Sequence, residues 1–314
     1  MSVLTGLLAA TVLWGAQTPQ AAPAPAPVAA SQEQDVTDLG EVIVGGRPAR
    51  EVASSFIETV GAPSSSRRLA RWPHSVCVSV ANLAQEPAQY LVDRVSEVAE
   101  DLGLRAGEPG CVANVLIIAA SDASAMADAL VDEYRVAFRP AGGGTTRSLS
   151  VLEDFRKVDR PVRWWHISLP VDSETGDAAV RTRQGDDPPA INISRASRLR
   201  SDIRDDLNKV IIVVDVDRLG GVNIRQLGDY IALVALAQVD LRASPTGLPT
   251  VLNLFEEPES TPGLTEWDLA YLQALYRAEP NRSTAAGQAS DLAALMLRRR
   301  RAQDQEAAPA PNQP

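Results

Sequence analysis

The chain has 314 residues, of which 45% are hydrophobic, and its formal net charge is −10. That balance excludes a nucleic-acid ligand, because a basic face dominates such binding. No apolar run is long enough to span a bilayer as a helix, and the roughly 240 residues between two tails suit one domain with its own core.

Residues 1–30 read as a signal peptide followed by an Ala/Pro spacer. Val3 to Ala16 has the size of a signal-peptide apolar region, although no Lys or Arg precedes it. Ala16, Ala22 and Ala30 are candidate cleavage points, and Ala21 to Ala30 is a semi-rigid spacer. These features predict a secreted, periplasmic protein. Residues 31–55 are assigned to a linker containing Asp38-Leu-Gly-Glu-Val-Ile-Val-Gly-Gly-Arg-Pro48. This segment resembles the TonB box of outer-membrane receptors. The resemblance implies an extended segment that adds to a partner's sheet, hence an accessory role in the TonB system. Elsewhere the chain has no row of alternating strands from which to build a receptor barrel. A short amphipathic strand or linker is the plainer reading.

The folded region is assigned to 56–301, beginning near Phe56. Val76 to Ala81 reads as a strand. Glu86 to Leu102 reads as an amphipathic helix with Leu91, Val95, Val98 and Leu102 at helical spacing, stopped by Gly103. Cys111 introduces a buried strand, Val115 to Ala120, and Ser121-Asp-Ala-Ser124 starts a helix that runs to about Phe138. Ala141 to Thr146 is a glycine loop without the Lys of a phosphate loop. Leu149 to Lys157 is a short helix, Val162 to Ser168 a strand, Asp172 to Pro189 a polar loop and Ala190 to Ile193 an edge strand. Cys77 falls in the first strand and Cys111 just before the second, so neighbouring strands could bring them together and a disulfide is predicted for an oxidising compartment. Arg298 to Arg301 reads as the cationic end of a helix, and 302–314 as a disordered tail.

Lys209 to Arg277 is the most informative stretch. A strand, Val210 to Val214, is followed by a turn at Gly220-Gly221 and by two helices that open alike. Val222-Asn-Ile-Arg-Gln-Leu227 and Leu264-Thr-Glu-Trp-Asp-Leu269 each combine a capping box with a hydrophobic staple. Leu248 to Phe255 is expected to run extended beneath the first helix. On that helix Leu227, Ile231, Val234 and Ala235 form one stripe, which Gln238 continues. Tyr230 on its flank should be buried with a bonded hydroxyl, and Asp229 should face solvent. Strands alternating with helices predict a single α/β domain with a mixed sheet and packed helices.

The order of these elements resembles the metzincin-like zinc peptidases, whose long helix carries H-E-x-x-H before a Met-containing turn and a closing helix. Leu248 to Phe255 resembles the turn, with Leu252 at the Met position, and Gly263 to Tyr276 resembles the closing helix. The resemblance implies a metzincin-like architecture with a peptide groove. Arg225, Gln226 and Asp229 then fall on the degenerate ligand and base positions, and Ala235 on the third ligand. Arg does not ligate zinc, Gln is not a base, and the two histidines, His74 and His166, are far away in sequence. No catalytic residue, metal or cofactor is therefore assigned. The folded region also resembles a family of exported alphaproteobacterial proteins, which implies export and no particular activity.

Weaker binding candidates remain. Trp164-Trp165-His166 could make a stacking platform, with one Trp facing the core and the other the surface by strand alternation, although core packing is the plainer reading. Asp215 and Asp217 end a strand where α/β folds place metal or phosphate ligands, although an acidic turn after a strand is the plainer reading. Two function classes follow. One is a non-catalytic envelope protein whose degenerate groove binds a peptide or protein. The other is a metal-dependent hydrolase using Asp215, Asp217 or Asp229.

Overall fold

The structure, a computed structural model, describes residues 43–44, 47–63, 67–140, 148–181, 191 and 197–307, all within the unit from Glu41 onward. The stretches read as signal peptide and spacer, the glycine loop and all but Ile191 of the Ala190–Ile193 segment lie outside the described residues. Strands β1 (Ile43–Val44) and β2 (Arg47–Pro48) form a short antiparallel pair, the described part of the TonB-box-like segment.

Helix α1 (Ala49–Val60) starts directly afterwards, ahead of Phe56 and inside the stretch read as a linker. Val52, Ala53, Phe56, Ile57 and Val60 are buried, the spacing of one helical face. This helix escapes a sequence reading because small residues, Ala53-Ser54-Ser55, blur the stripe.

The chain continues as β3 (Ser75–Val76), β4 (Val78–Ala81), α2 (Gln85–Asp101), β5 (Arg105–Ala106), β6 (Val115–Ala120), α3 (Ala123–Glu133), α4 (Arg135–Phe138), α5 (Leu149–Lys157), β7 (Val162–Asp172) and β8 (Ile203–Asp215). The main sheet has the order β4-β6-β8-β7, with the first three strands parallel and β7 antiparallel to β8. β3 and β5 form a separate parallel pair. The chain is thus α/β with a mixed sheet. Parallel neighbours need a crossover, and α2 supplies the one between β4 and β6. Cys77 and Cys111 are joined, with their Cα atoms 6.1 Å apart. Closing that loop stabilises the fold by ~3–4 kcal/mol on the chain-entropy account.

Two adjacent indoles define the layers, because neighbouring strand residues point to opposite faces. Trp164 meets the Tyr230 ring edge-on at 6.1 Å and donates from Nε1 to the Val239 carbonyl at 3.0 Å. Trp165 donates to the Phe138 carbonyl at 3.0 Å, with its ring 6.4 Å from Phe155. Both are only 2% exposed, which corrects the expectation of one surface Trp and removes the stacking platform. Helices cover both faces of the sheet, so alternation along β7 never reaches water. His166 is buried as well, with Nε2 2.8 Å from the Val234 carbonyl.

Helix α6 (Ile224–Leu236) lies on the Trp164 side and packs against α2. Every residue from Tyr230 to Leu236 is buried, as expected of a core helix rather than a striped surface one. Leu248 to Phe255 does not run extended. It turns through a 3-10 segment, Val251–Asn253, capped by Thr250, and α7 (Glu266–Arg277) follows. Phe56 of α1 packs against Tyr271 of α7 at 5.4 Å between ring centroids.

The last helix, α8 (Ala285–Ala307), carries the Arg298–Arg301 run in its interior and continues into the stretch read as a disordered tail. Contacts to α7 hold this end in place. Arg299 donates to Gln273, Arg300 sits 4.8 Å over the Trp267 ring, and Gln303 donates to Glu266 at 2.5 Å. A stacked guanidinium of this kind is worth about 0.5–2 kcal/mol.

Candidate functional site

Of the positions that resemble a zinc motif, Gln226 and Asp229 are taken up by structural bonds. Arg225 is exposed. Gln226 completes the capping box by accepting from the Asn223 N–H at 3.1 Å. Its Nε2 donates to the carbonyls of Pro258 at 2.8 Å and Thr261 at 2.9 Å. Both ends of the amide are thus used, and the loop before α7 is pinned to the start of α6. Ala235 is fully buried.

Asp229 does not face solvent as the stripe implied, because α2 covers that side of the helix. Its Oδ1 accepts from Arg94 Nε at 2.5 Å, and its Oδ2 accepts from the Leu264 N–H at 2.9 Å. Arg94 also pairs with Glu97 at 2.6 Å. A Cβ on Gly263 would lie 2.1 Å from Asp229 Oδ2, so the chain passes the carboxylate only with glycine there. One side chain thereby ties α2, α6 and the entry to α7. Tyr230 is buried as expected, its hydroxyl bonded to Arg160, and burial pushes its pKa up.

Asp268 makes the matching connection at α7. It accepts from the Thr250 hydroxyl at 2.6 Å, the Val251 N–H at 2.8 Å and the Thr265 N–H at 2.9 Å. The Thr265 hydroxyl lies 2.8 Å from it. Burial pushes the Asp268 carboxyl up to about 6, against hydrogen bonds that pull it down.

The other acidic candidates do not meet. Asp215 is buried at the end of β8, where Oδ2 accepts from the Ala123 N–H of α3 at 3.3 Å. Arg163 is fully buried nearby and donates to the carbonyls of Phe155 at 3.2 Å and Arg156 at 2.7 Å, and to Ser124 Oγ at 2.9 Å. Burial holds its guanidinium below the ordinary value while Asp215 opposes the shift. Asp217 is exposed in the 3-10 turn Val216–Arg218, and Asp229 is engaged on α6. Among the described residues no three His, Cys, Asp or Glu gather as a metal site would require.

What the structure does assemble is an apolar cavity of about 270 Å³. It lies between the start of α2, the carboxyl ends of β6 and β8, and the entry to α6, with Leu83, Leu91, Ile117, Leu219 and Leu227 among its walls. Val216, at its rim, is 38% exposed. Open α/β sheets place ligands in the crevice beyond the carboxyl ends of their strands, and apolar pockets of this kind receive apolar groups. Sequence reasoning missed the cavity because Leu83, Leu219 and Val222 sit in connections, where no periodicity marks them. The available signal was apolar residues flanking Gly220-Gly221.

Two predictions follow from the bonded carboxylates. Asp229→Ala should lower stability by ~1–3 kcal/mol, as loss of a charged hydrogen-bond partner does, whereas Arg225→Ala should stay within about 0.5 kcal/mol. Urea denaturation of the two variants checks the order. Asp268, whose folded pKa of about 6 exceeds its ordinary 3.8, binds its proton more tightly in the folded state. Its stabilising contribution is therefore fully present below the ordinary value and is lost as pH rises through about 6. The stability gap between wild type and Asp268→Asn should shrink over that interval in urea titrations run at each pH.

No protein-family model, curated protein or solved structure matches the chain.

Proposed function

We propose that the chain is a non-catalytic exported protein of the cell envelope that binds a peptide or protein partner through an apolar anchor side chain. The cavity of about 270 Å³ at the carboxyl end of the sheet carries this reading. Its walls offer carbon almost throughout and no group able to move a proton, so what it can do is desolvate an apolar side chain. Burying one such side chain contributes about 1.5–3 kcal/mol. The order of β8, α6, the turn and α7 supports a metzincin-like ancestry whose groove is kept for binding. Two polar positions of its helix, Gln226 and Asp229, are committed to Pro258, Thr261, Arg94 and Leu264. The secreted, periplasmic location rests on residues 1–30 as a signal sequence.

The test uses acetylated hexapeptides with Leu or Phe at the centre, matched to peptides with Ala or Lys there. The Leu and Phe peptides should bind, remain uncleaved, and lose about tenfold or more in affinity to Val216→Asp, which places a charge at the rim. Cleavage of the peptides, or equal affinity for the Ala series, contradicts the reading.

A further inference from the structure

The groove between α1 and α8 holds a second concentration of unused chemistry. It has a volume of about 500 Å³, an apolar floor that includes Ile57, Ala289, Ala293 and Leu297, and Arg50, Arg298 and Arg301 along its walls. The basic run divides by helical geometry. Arg299 and Arg300 turn to α7, where Gln273 and Trp267 take them. Arg298 and Arg301, three residues apart and so on one face, line the groove. Elsewhere Arg67, Arg94, Arg156, Arg204 and Arg282 each face a carboxylate. Among the residues whose side chains are described, up to Gln303, no carboxylate pairs with Arg50, Arg298 or Arg301. Glu58, also on the groove wall, sits eight residues along α1 from Arg50, about 12 Å away at helical rise. Three guanidinium groups against one carboxylate, Glu58, line this groove on a chain of net charge −10.

We infer that this groove binds a single-chain amphiphile with an anionic head, carboxylate or phosphate. Guanidinium forks match both head groups geometrically. The floor selects the tail. Helix backbones bond their own amides internally, so the groove has few partners for an extended peptide, whose main chain must be satisfied. A hydrocarbon chain fits the volume and needs no polar partner. This site is separate from the cavity at the sheet's carboxyl end and does not depend on that reading.

Isothermal titration of the full chain with dodecyl phosphate, below its micelle concentration, tests the inference. Dodecanoate, inorganic phosphate, dodecyltrimethylammonium and phosphatidylglycerol vesicles complete the series. Dodecyl phosphate should bind, either alone or together with dodecanoate, and that comparison tells which head group is preferred. Inorganic phosphate and the cationic amphiphile should bind at least tenfold more weakly. Arg298→Ala and Arg301→Ala should each weaken dodecyl phosphate by roughly tenfold. Ala294→Trp, at an exposed position on the groove wall, should block it. Val216→Asp should leave it unchanged. All variants should melt with the wild type, since the altered side chains are exposed. Equal binding of the cationic amphiphile overturns the inference, as does binding that ignores the Arg298, Arg301 and Ala294 substitutions. Binding to vesicles alone also overturns it, since it would mark a membrane surface instead.

Discussion

Asp268 is fully buried and accepts hydrogen bonds from Thr250, Val251 and Thr265. Asp229, on the preceding helix, accepts from Arg94 and Leu264. Between them these two carboxylates fix the path from α6 through the 248–265 connection into α7. A buried carboxylate is tolerated only when its lone pairs are met by donors. The donors here are backbone N–H groups and hydroxyls that exist only if the connection turns as it does. The requirement runs both ways: the turn satisfies the carboxylate, and the carboxylate specifies the turn. With α7 fixed, α1 and α8 have a surface to pack on, through Phe56 against Tyr271 and Arg300 over Trp267.

This constraint bears directly on function. A helix in the position of α6 could present catalytic groups to a cleft, yet two of its polar side chains, Gln226 and Asp229, are engaged in holding the fold. Gln226 bonds two carbonyls and Asp229 bonds a guanidinium and an amide. The space left at the carboxyl end of the sheet is lined by aliphatic side chains. An aliphatic surface of this kind can desolvate an apolar group.

Much of the fold was legible in the chain. Both capping boxes could be read from an N-cap residue and its partner three positions on, because that contact is local and both are present. The same holds for α2 with its glycine stop and for the apolar run of β8. What escaped depends on contacts distant in sequence. The solvent-facing assignment of Asp229 failed because its partner, Arg94, lies 135 residues away. Trp164 and Trp165 are both buried since helices cover both sides of β7, which no alternation within the strand reveals. Helix α1 has too many small residues to show a stripe, and α8 outruns its apolar pattern because α7 supplies partners for its arginines. The cavity belongs to the same class, with walls contributed by three stretches of chain, 83–91, 117–119 and 214–227.

Native-state hydrogen exchange at two amides tests the central claim most directly. Leu264 N–H donates to Asp229 and Val251 N–H donates to Asp268. If these carboxylates lock α6, the connection and α7 into one cooperative unit, both amides should exchange only through global unfolding, with the same denaturant dependence as the α6 core. Exchange of either amide through local opening, while α6 stays protected, would contradict the account.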